Sequence, residues 1–387
     1  MSWTWSPGRL LGLVLMATVW AAFGTGVYRF LGSHRSALSI QAKKPGEDQS
    51  RNGPISRLPG TLYIVQDGAL YRLQRGTFTS ILNAPGGAAR WIQPSLSADG
   101  QSLVVVRRDY AFSDLYSMDA SGHGQRQLTR NSSKTVELNH WVFYPRLSAD
   151  GGSVFFSYDP KDRSNNYNVV LAAWQMPVGG QLTQAKKWTT PNSYTGGDIQ
   201  PIPLAAGGLV YTKYTFDQPT NAILSQIWLT PRAGVPGRAL TPAGDDCSQP
   251  ALSPDGQRLA MICTGGKQLA NLEIASLGSG LLGPRQVLVG GQLAAQPAWA
   301  PDGSGLVYLA PAGISGHFQL WFQQAPQQSP PPTAEPTTRP ARARAATPTP
   351  TPTPAAVTPT ATPTPLPAVR LTSDNDFDAT STIAWHA

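Results

Sequence analysis

Charged and reactive residues are scarce in this chain. Only 13% of its 387 residues are charged, and it holds two cysteines and five histidines. The histidines, His34, His123, His140, His317 and His386, show no metal-ligand spacing. Gly313-Ile314-Ser315-Gly316 is not G-x-S-x-G, and no separate α/β domain exists to carry such a nucleophile. Asp374-Asn375-Asp376-Phe377-Asp378 alternates carboxylates as a calcium loop does. It lacks the glycine at the sixth position and the glutamate at the twelfth, so an acidic loop is the plainer reading. No metal and no cofactor is therefore expected.

Glycine, proline, tryptophan and tyrosine are plentiful by contrast, at 38, 36, 11 and 12, which is the composition of a turn-rich all-β protein. Much of the proline and glycine belongs to a repeated unit. Gln249-Pro250-Ala251-Leu252-Ser253-Pro254-Asp255-Gly256 recurs as Gln93-Pro94-Ser95-Leu96-Ser97-Ala98-Asp99-Gly100, as Tyr144-Pro145-Arg146-Leu147-Ser148-Ala149-Asp150-Gly151 and as Gln296-Pro297-Ala298-Trp299-Ala300-Pro301-Asp302-Gly303. A worn copy begins at Gln200-Pro201, where the turn has become Ala205-Ala206-Gly207-Gly208, and a truncated one, Thr382-Ile383-Ala384-Trp385, closes the chain.

An apolar run follows each complete copy, for example Leu103-Val104-Val105-Val106 and Leu259-Ala260-Met261-Ile262, as a strand buried on both faces requires. A third strand and a short fourth ending near Leu-Thr come next. Four strands at a spacing near fifty residues form a propeller blade. Proline has no N–H for a ladder, which puts the repeat on the innermost strand, at the edge facing the central channel. Asp-Gly then turns the chain into the second strand.

The repeat resembles that of the TolB-type propeller family, written x-P-x-W-S-P-D-G before an apolar strand, and the resemblance covers residues 60 to 387. It implies an all-β, six-bladed β-propeller, and it implies little about chemistry, because such propellers are mostly binding platforms or non-catalytic halves of larger proteins. The third copy departs by losing its Asp. Thr61 to Gln66, Ala69 to Gln74 and Phe78 to Asn83 supply three strands with no inner strand before them, and Thr382 to Trp385 supplies an inner strand with nothing after it. Together they make a shared first-and-last blade that closes the ring without an open edge.

Outside the propeller, Leu10 to Tyr28 is an uncharged, largely apolar stretch between Arg9 and Arg29, long enough to span a bilayer. Residues 1–30 are read as an uncleaved signal anchor and transmembrane helix, with a cleaved signal peptide as the rival. Residues 31–59 form a flexible tether, and residues 325–367, with Pro330-Pro331-Pro332 and alternating Thr-Pro, form a disordered insert within the fifth blade. All but one unit of the formal charge of +8 sits in these segments, since the propeller itself holds twenty basic and nineteen acidic residues. That balance argues against a nucleic-acid face on the propeller. Basic residues after the apolar stretch favour a cytoplasmic propeller, whereas the cysteines and the Thr/Pro insert favour export, which is the reading adopted.

The residues before the inner-strand prolines, Gln93, Tyr144, Gln200, Gln249 and Gln296, together with Thr382, ring the channel and either bind a polar group or order water. The face away from the tether, with Trp91, Asn139, His140, Asp198, Asp245, Asp246 and Asp376, is expected to carry any binding site. A hairpin turning at Asp255 pairs residues whose numbers sum to twice 255, which sets Cys247 against Cys263 as a disulfide. The resulting expectation is a monomeric, membrane-tethered, extracytoplasmic propeller that binds a protein partner or envelope component. The alternative is a hydrolase or oxidoreductase with a metal at the channel mouth.

Overall fold

The computed structural model describes residues 53–387 apart from 162, 165–167, 266, 268, 313–315 and 327–365. The expected transmembrane segment, most of the tether and nearly all of the Pro/Thr insert lie outside the described residues. Among the described residues no helix is long and apolar enough to cross a membrane.

The chain is an all-β propeller built of antiparallel meanders. Its strands run as the hydrophobicity dictates. Ser102–Arg108, Arg258–Cys263 and Gly305–Pro311 are each buried for most of their length, because sheets cover both of their faces. The cores are cross-sheet: Val104 and Val106 pack with Val154 and Phe156 from the next meander, and Ile262 with Tyr308. The chain's two ends meet in one sheet, where Ala384–His386 pairs with Thr61–Gln66, ahead of Ala69–Gln74 and Thr77–Leu82.

Six separate sheets were expected, and the count is corrected here. Among the described residues the strands form five hydrogen-bonded sheets, three of four strands, one of five and one of eight. The eight-stranded sheet arises because Val170–Pro177, the third strand of one meander, pairs in parallel with the inner strand Gly196–Pro203 of the next, through Val170 with Gly196 and Leu171 with Gly197. Gly197 makes that approach possible. Its φ is +102°, and a Cβ there would lie 2.1 Å from the Leu171 carbonyl oxygen.

The inner-strand proline does not lie on a plain strand edge. In each of the five longer inner strands the register slips by one residue at the proline, as between Ile92 and Ser95 or Phe143 and Arg146. The residue before it is left-handed: Gln93, Tyr144, Gln200, Gln249 and Gln296 have φ of 56°, 54°, 56°, 55° and 53°. This is a β-bulge, which absorbs the missing proline N–H and bends each inner strand around the channel.

Candidate functional site

The bulge turns the glutamine side chains along the ring instead of into open space. The Gln93 amide oxygen accepts the Tyr144 backbone N–H at 2.7 Å, Gln200 accepts that of Gln249 at 3.0 Å, and Gln249 accepts that of Gln296 at 2.6 Å. Gln296 completes the circuit by donating its Nε2 to the Ala379 carbonyl at 3.0 Å, and the Gln93 N–H is received by the Ser381 hydroxyl at 2.7 Å. Tyr144, Gln249 and Gln296 thus each offer an N–H that is taken by the glutamine of the preceding inner strand, while that of Gln93 goes to Ser381. The amides expected to bind a polar group or order water hold neighbouring inner strands together.

Tyr144 breaks the circuit, having no amide to offer Gln200. Burial pushes its phenol up to about 12, so it stays neutral. The waist enclosed by Tyr144, Gln200, Gln249, Gln296 and Thr382 holds a cavity of about 10 Å³, room for a single water. The channel is closed there. A funnel of about 450 Å³ opens toward the Asp-Gly turns, and a cavity of about 290 Å³ lies beside Gln93 and Tyr144, flanked by Ile92, Phe143 and Ile199.

The residues expected on the far face are brought to that side but not into one site. Trp91 is buried and donates its indole N–H to the Asn83 carbonyl at 3.1 Å. Asn139 is buried and accepts the Ser133 N–H. His140 shares a hydrogen bond with the Tyr158 hydroxyl, and burial holds its pKa below the ordinary histidine value. Asp198 is fully buried and paired with Lys213 at 3.1 Å; burial raises its pKa against the opposing pull of that lysine. Asp245 pairs with Arg285. Asp246 accepts the Ser225 N–H at 2.8 Å and hydroxyl at 2.7 Å. Asp376 accepts the Phe318 N–H at 3.2 Å, with His317 3.9 Å away. Among the described residues no three His, Cys, Asp or Glu side chains are grouped to hold a metal. Cys247 faces Cys263 in the ladder and the two sulfurs are bonded.

The residue that sequence reading passed over is Arg146. The position after the bulge proline carries Ser95, Ile202, Ala251 and Ala298 in the other long inner strands, and Arg146 is its only charged occupant. The signal lay in the repeat alignment.

These features define a closed-channel β-propeller with two unlike faces. Among solved structures the chain is similar to TolB from Acinetobacter baumannii, at 18% identity and a TM-score of 0.53, over 69% of this chain and 61% of that one, so the match spans less than two thirds of that protein. It is also similar to a putative TolB from Agrobacterium tumefaciens, at 14% identity and a TM-score of 0.47, over 69% of this chain and 85% of the other. A puromycin-hydrolyzing peptidase from Mycobacterium tuberculosis matches at 17% identity and a TM-score of 0.45, over 73% of this chain and 48% of that one. No family model and no curated protein sequence matches. At such identities the likeness is one of fold, and it sets TolB-type propellers among this chain's structural neighbours.

Proposed function

We propose that this chain is a non-catalytic, protein-binding propeller tethered in the cell envelope, and that its binding face is the one opposite the tether. The eight-stranded sheet counts as two blades joined at one seam, for six in all. The bonded pair Cys247 and Cys263 suits an oxidising compartment, and the apolar stretch Leu10 to Tyr28 suits an N-terminal anchor on a monomeric, extracytoplasmic domain.

One observation carries the reading. The loops between second and third strands, and those entering each inner strand, share the face away from the tether. That face displays Tyr110 at 85% exposure, Tyr194 at 71%, Val136 at 61%, Leu269 at 52% and Phe216 at 50%. Apolar and aromatic side chains on loop tips are the anchors of protein interfaces, since they lose water on contact and need no internal partner. Asp198, Asp245, Asp246 and Asp376 on that side are meanwhile engaged by Lys213, Arg285, Ser225 and Phe318.

A photo-crosslinking residue placed at Tyr110 or Tyr194 in the full chain should trap one and the same partner protein. The same residue at Asp99 or Asp150, on the turn face, should not. Capture of that partner from the turn-face positions alone would reverse the assignment.

A further inference from the structure

Arg146 stands where the funnel narrows into the waist, and it lines both cavities. Around the same neck are Ser95, Ile202, Ala251, Ala298 and Ala384. Four of these five are small, so the arginine has open space across from it instead of a packed wall. The Arg146 backbone pairs with Phe155, but its side chain makes no hydrogen bond, ion pair or aromatic contact with any described residue. Burial alone pushes its pKa down to about 10, with no carboxylate nearby to oppose the shift. At neutral pH it therefore remains a cation, half-buried at the neck of the funnel and without an Asp or Glu side chain beside it on the funnel wall.

The rest of the funnel indicates what would relieve it. Its wall carries Leu96, Leu147, Leu252, Trp299 and Trp385, with no Asp or Glu side chain. Its volume of about 450 Å³ falls within the range of small-ligand sites. A phosphate dianion collects several cations or backbone N–H groups, whereas a single planar guanidinium matches the two oxygens of one carboxylate. We infer that the turn-side funnel is a binding site for a carboxylate carried on an apolar body, with Arg146 receiving the carboxylate at the neck and the leucine and tryptophan wall receiving the apolar part. Two sources share that chemistry, a small apolar carboxylic acid and the free C-terminus of a peptide ending in an apolar residue. The site is on the opposite face from the proposed protein-binding loops and does not depend on them.

The test uses the full chain and calorimetric titration with 3-phenylpropionate, its amide, a short peptide ending in Phe, the same peptide amidated, and inorganic phosphate. One or both free acids should bind at least about tenfold more tightly than the matching amide. Whichever pair shows the difference identifies the source. Arg146→Gln should lose the difference, and Arg146→Lys should keep part of it, because the charge stays while the bidentate fork goes. The acid-against-amide comparison on unaltered protein stands even where Arg146→Gln fails to fold. The inference is overturned if neither acid binds, if amides bind as well as acids, if a folded Arg146→Gln binds unchanged, or if phosphate outcompetes both acids.

Discussion

The third and fourth repeats are neighbours in the ring and solve the same two problems differently. The first problem is the second ladder rung before the bulge. In the fourth repeat that rung is Cys247 opposite Cys263, and it is covalent. In the third it is Asp198 opposite Lys213, and it is a buried ion pair. The second problem is the turn after the inner strand. In the fourth repeat the Ser253 N–H reaches the Arg258 carbonyl five residues on, and the Asp255 carboxylate caps the Gln257 N–H at 3.0 Å. In the third the Leu204 N–H reaches the Gly208 carbonyl only four residues on. The residue whose N–H the aspartate would cap is missing there, and so is the aspartate. What looked like a worn motif is a shorter turn in which the donor and its acceptor disappeared together, leaving nothing buried and unsatisfied.

The largest expected effect is on the ionic rung. Lys213→Met removes the partner of a fully buried carboxylate and also the lysine's hydrogen bond to the Thr190 carbonyl, so it should destabilise the fold by about 3–5 kcal/mol. The double change Asp198→Leu with Lys213→Met removes both charges and should recover most of that. Urea denaturation of both variants decides it, and equal losses in the two would mean that the charge pair is not the source of the effect.

Breaking the covalent rung comes next. Its cysteines lie 16 residues apart, and releasing a loop of that size costs about 3 kcal/mol through the unfolded chain. The urea midpoint should fall when reductant is added and should not fall further in Cys247→Ala with Cys263→Ala. An unchanged midpoint under reductant in the unaltered protein would remove the bond from the account.

The turns should differ by less. Gly208 has a φ of +95° and a Cβ there would meet the Thr230 carbonyl at 3.0 Å, while Gly256 at +70° has nothing within 4 Å. Gly208→Ala should therefore cost about 2 kcal/mol and Gly256→Ala about 1 kcal/mol. Asp255→Ala should cost about 1 kcal/mol for the lost cap, and Ala206→Asp should gain nothing, since no N–H waits for it. A gain from Ala206→Asp would show that the third turn is a damaged copy after all.

The repeat, its strands and the shared sheet at the chain ends were legible because they rest on local chemistry: proline, Asp-Gly and apolar runs. The bulge was not. Nothing in Gln249-Pro250 announces a positive φ, and that conformation is held by Gln200 of another meander, a contact no local pattern encodes. The cysteine register shows the cost. Arithmetic about Asp255 gives a sum of 510, yet Leu252 pairs with Leu259 and the turn is centred half a residue later. The bulge removes one residue from the count and restores 510 at Cys247 and Cys263. The strand-joining role of the ring glutamines was hidden for the same reason. Side chains expected to bind a polar group or order water also hydrogen-bond strands far away in sequence, whereas Arg146 stands out as a charge in the repeat alignment itself.

The smallest effect is one of pH, and it separates the Asp-bearing turns from the third repeat. In Asp99 and Asp150 hydrogen bonds from the serine two residues earlier hold the carboxyl below its usual value, helped by the N–H of Gln101 or Gly152. In Asp255 and Asp302 partial burial pushes upward, but the Ser253 hydroxyl and Gln257 N–H, or the hydroxyl and N–H of Ser304, outweigh it. A carboxyl whose folded pKa is depressed stabilises the fold above its unfolded value, near 3.9, and loses that contribution as the pH falls through the folded value. The window therefore lies below about pH 4. Asp114, Asp159 and Asp198, raised by burial, act in the opposite sense, so the measurement must be a difference between variants. Replacing the four turn aspartates by asparagine keeps an oxygen for each cap and removes the titration. Between about pH 5 and about pH 2.5 the urea midpoint of the unaltered chain should fall further than that of the fourfold variant. Parallel falls would show that the turn carboxylates work as neutral caps, and that the third repeat surrendered no acid-sensitive contribution when it lost its own.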